Sequence, residues 1–194
     1  MRSTVTWYLA IENDKTVKDP LVADQEDLCG IDEWTLQKGQ LVTDWNPAVT
    51  FFAGGPEWDG EPDDVLQNAV GLPIYSARLQ EALRAGGIEG IQYLPVQVRH
   101  ADGREVLGYA IANILNLVPC LDWEKAEYRP WKGRREGEVR SITHLVVKGS
   151  ALQGYDILRM REFKLNIFVS EKFVRLFRAG GFTGYSFAQL TDIT

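Results

Sequence analysis

Ser76 to Tyr93 reads SARLQEALRAGGIEGIQY, and Ser170 to Phe187 reads SEKFVRLFRAGGFTGYSF. The two stretches align without gaps at an offset of 94 residues. The serine, the Arg-Ala-Gly-Gly run and a later glycine are identical, while Leu79/Phe173, Leu83/Phe177, Ile88/Phe182, Ile91/Tyr185 and Tyr93/Phe187 keep apolar character. Ser76 and Ser170 stand where an N-cap hydroxyl accepts a free backbone N–H of a first helical turn. Apolar residues at i and i+4 then make one buried stripe. Gly86-Gly87 and Gly180-Gly181 stop the helix, because a glycine takes the left-handed conformation that satisfies its last carbonyls. The unit reads helix, glycine stop, tight turn, strand. Either two similar halves frame a cleft at their junction, or one cap-and-stop grammar is used twice for stability. The spacing Gly87-Ile-Glu-Gly90 is not a dinucleotide fingerprint, which needs a strand before it and a helix after it.

Strand patterns surround these helices. Thr4 to Glu12 reads as an edge or amphipathic strand, with Val5, Trp7, Leu9 and Ile11 alternating. Asp14 to Glu33 is polar and loop-like, and Leu36 to Trp45 and Val49 to Ala53 are short strand candidates. Asp63 to Val70 reads as a short helix entered through Pro62. Ile91 to Arg99 is a strand whose Pro95 points to an edge or a bulge. After the turn His100-Ala-Asp-Gly103, Val106 to Val118 reads as one long apolar strand. Val139 to Lys148, ended by Gly149, and Ile157 to Met160 follow, and Phe163, Leu165, Ile167 and Val169 share one face of a last strand. Short turns favour antiparallel pairing. The fold expected is α+β, a largely antiparallel curved sheet with two or three packed helices, in a single domain over residues 1–194.

Composition narrows the function. With 45% apolar and 25% charged residues the chain is globular, not disordered. Cys29 and Cys120 make no disulfide framework or metal-type spacing and suit a reducing compartment. The most apolar stretch, Tyr109 to Leu121, is shorter than the roughly 20 residues of a membrane helix, and the alternation of Val5, Trp7, Leu9 and Ile11 reads as a strand and not as a signal peptide. A cytoplasmic location is expected. Residues 1–100 carry 7 basic and 16 acidic side chains, while residues 101–194 carry 14 and 11. That acidic first half argues against nucleic acid as a partner. The acidic run Glu57-Trp58-Asp59-Gly60-Glu61-Pro62-Asp63-Asp64 reads as a solvated loop leading into a helix, or as an electronegative patch with an aromatic anchor. A basic cluster, Lys125, Arg129, Lys132, Arg134, Arg135 and Arg140 around Trp131, reads as a solvated loop.

Candidates for chemistry are sparse. Asp63-Asp64 and Asp122/Glu124 are paired carboxylates, more simply read as a helix start and a turn. His144 reads as a hydrogen-bonded histidine in an apolar strand, His100 as solvated beside its turn, and Cys120 as a buried small hydrophobe. No nucleophile elbow, phosphate loop, cofactor site or metal site emerges. Trp34, Trp45, Trp58, Trp123 and Trp131 lie in polar or glycine-containing segments, where they suit a protein interface or a platform for a carbohydrate or small molecule.

Several stretches taken in order resemble a bacterial family of immunity proteins from polymorphic toxin systems, a myxobacterial-type domain formerly of unknown function. They are Gly71-Leu-Pro-Ile-Tyr-Ser-Ala-Arg-Leu79 with Ile91-Gln-Tyr-Leu-Pro-Val96, then Tyr109-Ala-Ile-Ala-Asn-Ile-Leu-Asn116 leading to Cys120-Leu-Asp122, and Ile167-Phe-Val-Ser170 through Gly181-Phe-Thr-Gly-Tyr-Ser-Phe187. The resemblance covers about Trp34 to Leu190. It implies a cytoplasmic protein that neutralises a cognate toxin by binding it, with no catalytic residues, no cofactor and no membrane partner. On the residues themselves, Glu57, Trp58, Asp59, Glu61, Asp63 and Asp64 are the expected contacts to a basic surface of that toxin.

Overall fold

The computed structural model describes residues 6–12, 22–53, 62–100, 102–131 and 137–194. The elements begin with β1 (Trp7–Glu12), β2 (Val22–Asp27), a short 3-10 helix (Glu33–Gln37), β3 (Thr50–Ala53), β4 (Val65–Asn68) and β5 (Ile74–Tyr75). Next come α1 (Ala77–Ala85), β6 (Ile91–Pro95), β7 (Gln97–His100), β8 (Glu105–Val106), β9 (Ala110–Ile114), β10 (Leu117–Val118), β11 (Glu127–Pro130) and β12 (Val139–His144). The chain closes with α2 (Gly149–Leu152), β13 (Ile157–Met160), β14 (Ile167–Ser170), α3 (Glu171–Ala179) and β15 (Tyr185–Gln189). The fold is α+β. No helix among the described residues is long and apolar enough to cross a membrane.

Ser76 Oγ accepts from Leu79 N at 3.3 Å and Ser170 Oγ from Phe173 N at 3.3 Å, which starts α1 and α3. Each helix ends on a glycine at positive φ, Gly87 at 65° and Gly181 at 60°. The following amides fold back, Ile88 N onto Leu83 O at 2.9 Å and Phe182 N onto Phe177 O at 3.2 Å. The orphan carbonyls of the last turn are thereby satisfied.

The strands form two large sheets and a ribbon instead of one curved sheet. The five-stranded sheet runs β10-β13-β14-β1-β15, and the eight-stranded sheet runs β6-β9-β5-β4-β2-β3-β7-β8. Among the described residues β11 and β12 pair only with each other. Most pairings are antiparallel, but β10 with β13, β2 with β4 and β3 with β7 are parallel. Only Val96 separates β6 from β7, yet the two lie near opposite ends of the eight-stranded order, so the sheet curls on itself. Pro95 lacks the N–H that would continue the ladder. At this point Val96 N donates to Tyr109 O (3.1 Å) and Gln97 N to Val49 O (2.9 Å), so the strand changes partners. Phe51, Leu66, Leu72, Ile74 and Ile111 fill the curl, closed by Leu36 of the 3-10 helix.

A second core lies between the two sheets and the helices, with Tyr75, Leu79, Leu83, Ile157, Val169, Phe173, Phe177 and Tyr185. A third covers the far face of the five-stranded sheet, where Trp7, Cys120, Leu152, Leu158 and Phe168 pack beneath the ribbon and α2.

Several expectations are corrected. β1 is flanked by β14 and β15 and is no edge strand. The polar stretch 14–33 contains β2, recruited by backbone ladders to β3 and β4. Residues 36–45 form no strand, since the 3-10 helix turns Leu36 inward. Residues 63–70 are not helical but contain β4, paired with β5. The apolar run 106–118 is divided among β8, β9 and β10, the last of them in the other sheet. β12 ends at His144, and Gly149 opens α2 where a strand end was expected. Phe163 and Leu165 lie in the turn before β14, leaving Leu165 58% exposed.

Candidate partner-binding surfaces

Of the acidic run, Glu57, Trp58, Asp59 and Glu61 lie outside the described residues. Asp63 and Asp64 lie within them and are buried, at 2% and 4% exposure. The expectation that these two face a partner is corrected. The Asp63 carbonyl accepts from Tyr109 Oη at 2.7 Å. The Asp64 carboxylate accepts from Ser76 Oγ (2.6 Å), Arg78 Nε (2.7 Å), Arg78 Nη2 (2.5 Å) and Thr183 N (3.0 Å).

A matching arrangement stands at Asp156, which accepts from Ser170 Oγ at 2.6 Å and Lys172 Nζ at 2.9 Å. Both cations reach across to the neighbouring helix. Arg78 donates to Gly180 O (3.4 Å) and Gly181 O (3.1 Å) at the end of α3, and Lys172 donates to Gly87 O (2.9 Å) at the end of α1. The buried Asp64 carboxylate fixes the start of α1 through charge-assisted bonds, and Asp156 makes the more exposed equivalent at α3.

Among the described residues the tryptophans do not converge on one pocket. Trp34 and Trp131 are exposed, at 51% and 39%. Trp45 Nε1 donates to Pro95 O at 2.7 Å, and Trp123 meets Tyr128 edge-on with ring centroids 5.1 Å apart. One open cleft, of about 1230 Å³, lies between α2, the corner where β14 enters α3, and Thr194. Its wall includes Trp7, Tyr155, Asp156, Lys172, Arg175 and Ile193. A smaller cleft of about 400 Å³ is lined by Ile11, Glu12, Gly71, Leu165, Asn166 and Tyr185 among others.

The histidines exchange their expected places. His100 is 4% exposed, and its Nδ1 accepts from Asp102 N at 3.2 Å. The Asp102 carboxyl is held down at about 2, chiefly by the Arg104 backbone N–H and then by the Arg104 side chain and His100. His144 is half exposed, its Nε2 3.6 Å from Asp192. Burial pushes the Cys120 thiol up to about 12, with the Glu162 carboxylate adding to the effect, so it is no activated nucleophile. Asp122 accepts from Thr194 Oγ1 (2.9 Å) and from the N–H groups of Glu124 (3.2 Å) and Lys125 (3.3 Å), and these bonds hold its carboxyl below the usual range. Among the described residues no group of three or more His, Cys, Asp or Glu is placed to hold a metal ion.

One polar group was not foreseen. Arg159 sits at 0% exposure in β13, with Nη1 donating to Lys164 O and with Nε and Nη2 lacking a hydrogen-bond partner among the described residues. Tyr75 and Tyr185 lie near it, their hydroxyls 3.1 Å apart. Glu12 joins them electrostatically from the smaller cleft. Burial pushes its carboxyl up to about 7, although Arg159 pulls the other way. The available signals were a lone arginine within Ile157–Met160 and a glutamate ending an apolar strand.

Glu12 has a pH consequence with a definite sign. Its folded value lies above its ordinary one, so its contribution to stability is full below about pH 4.5 and is lost as pH rises through about 7. Glu12→Gln, which cannot ionise, is expected to be more stable than the wild type at about pH 8, by roughly 1–3 kcal/mol. The gap is expected to close near pH 4.5. Urea unfolding at both pH values checks this; equal stabilities at the higher one contradict it.

The clefts and exposed aromatics offer contact area, and in the larger cleft Asp156 and Lys172 are paired with each other. No curated protein matches the chain. The Immunity protein family (Imm11) matches residues 9–192, spanning both large sheets, the ribbon and all three described helices. The chain therefore belongs to the Imm11 immunity protein family.

Proposed function

We propose that this protein protects its cell by binding a cognate toxin of a polymorphic toxin system directly, in the cytoplasm, with no chemical step of its own. The observation that carries the reading is the family match over residues 9–192, which implies a toxin as partner. Two features support the non-catalytic part. The sequence holds only two histidines and two cysteines, and the thiol of Cys120 is buried with its pKa raised. Within this reading the chain acts as one domain over residues 1–194. Residues 76–93 and 170–187 repeat one helix–Gly-Gly–strand unit, a view supported by the matching partners of Asp64 and Asp156. The acidic segment Glu57, Trp58, Asp59 and Glu61 is the proposed contact to a basic toxin surface, with Asp63 and Asp64 excluded by their burial.

Co-expression with a candidate toxin, with growth as the readout, tests the reading. Growth is expected to be rescued, and an intact stoichiometric complex is expected to be recovered. Reversal of charge at Glu57, Asp59 and Glu61 is expected to slow association by about tenfold or more at low salt. Rescue by sub-stoichiometric protein, with toxin recovered covalently altered and no complex formed, overturns the reading.

A further inference from the structure

The β11–β12 ribbon stands apart from both large sheets. Val139 is buried, and Tyr128 and Ile142 pack onto the third core, so one face of the ribbon anchors it. The other side carries charge. Lys125, Arg129 and Arg140 are exposed, and Trp131 is 39% exposed at the end of β11. Neither Arg129 nor Arg140 forms an ion pair among the described residues, and Lys125 acts only electrostatically, on Asp122. Of the nearby carboxylates, Glu138 is already engaged by Lys164 Nζ at 2.6 Å, which leaves Glu124 and Glu127 as exposed anions beside the three cations.

We propose that this ribbon is a docking surface for an acidic face of the toxin, with Arg129, Arg140 and Lys125 steering the encounter and Trp131 serving as the apolar anchor. The proposal rests on the toxin-binding reading and adds a second contact of opposite sign to the acidic segment. Charge segregation supports it. Residues 125–140 carry 6 basic and 3 acidic side chains within a chain of net charge −6. Exposed cations add little affinity one by one, but a clustered set raises the association rate toward a complementary surface. Free guanidinium groups also match carboxylates in a bidentate fashion. A partly exposed tryptophan beside them fits the aromatic anchors that dominate interface energies. A protein face is favoured over nucleic acid because the first hundred residues carry a large excess of carboxylates, which repel a phosphate backbone.

The test uses the full chain and the toxin whose killing it relieves on co-expression. In the triple variant Lys125→Glu, Arg129→Glu, Arg140→Glu, none of the replaced side chains holds the ribbon's ladder together. An unchanged melting midpoint shows that the fold survives, and the neutral Lys125→Gln, Arg129→Gln, Arg140→Gln triple serves as a milder second variant. At about 50 mM salt the reversed triple is expected to associate about tenfold or more slowly than wild type, and the neutral triple to fall between them. At about 0.5 M salt the three rates are expected to converge. Trp131→Ala is expected to speed dissociation by about tenfold or more. Equal association rates for wild type and both triples at low salt overturn the docking surface while leaving toxin binding intact. Retention of duplex DNA by wild type but not by the reversed triple, with unchanged toxin kinetics, overturns it in favour of nucleic acid. Failure of wild type to bind the toxin at all removes the underlying reading and this surface with it.

Discussion

Asp64→Ala is expected to destabilise the protein by about 3–5 kcal/mol, the range found when one partner of a buried charge network is removed. The carboxylate is 4% exposed and receives four hydrogen bonds from Ser76, Arg78 and Thr183. Its removal leaves the Thr183 amide without its acceptor and releases Arg78 from the start of α1. It also weakens the join between β4 and the turn before β15, 119 residues away in the chain. Arg78→Ala is expected to cost less, about 1–2 kcal/mol, because that side chain is 57% exposed and water replaces part of what it loses. Urea unfolding of both variants checks the order. An Asp64 variant within about 1 kcal/mol of wild type shows that the carboxylate is not the junction described.

Gly184→Ala is expected to be at least as damaging, about 4 kcal/mol or more. Gly184 has φ of 96°, and a Cβ there falls 2.4 Å from the Val65 carbonyl oxygen and 2.9 Å from Val65 Cβ. Val65 is fully buried, and its N–H donates to Thr183 O at 3.1 Å, so the obstructing backbone cannot yield without breaking the contact between the sheets. The left-handed conformation alone costs an alanine about 1–2 kcal/mol, and the overlap adds the remainder. Gly154 supplies the control. Its φ is 87°, but nothing lies within 4 Å of the added Cβ. Gly154→Ala is expected to cost only about 1–2 kcal/mol. Similar losses at the two sites would show that backbone conformation alone, without the Val65 contact, sets the cost.

Local chemistry was legible in the sequence; long-range competition was not. Ser76, Ser170 and the paired glycines announced both helices because capping and left-handed termination act within a few residues. Asp63-Asp64 after Pro62 obeyed the same grammar and misled it. Asp64 is claimed by Ser76, Arg78 and Thr183, and the following residues pair with β5, so remote partners override the local start signal. β2 was hidden for a related reason, since its Val-Ala-Asp-Gln-Glu-Asp sequence has little strand propensity and is held by its neighbours' ladders. The run 106–118 is mostly apolar, interrupted by Gly108, Asn113 and Asn116, and apolarity does not say which sheet a residue enters. Of the candidate surface, the basic cluster and the exposed Trp131 could be read in advance. That Arg129 and Arg140 lack ion pairs among the described residues, and that Arg159 and Glu12 come close enough to interact, required the fold.

The crossed bonds of Arg78 and Lys172 carry a further consequence. Short helices ordinarily fray from their C-termini, where carbonyls have no partner within the helix. Here the terminus of each is gripped by a cation from the first turn of the other. Unwinding of either releases a bond that holds the other, so α1 and α3 are expected to open as one cooperative unit. When that unit opens, Leu79, Phe173 and Phe177 meet water together.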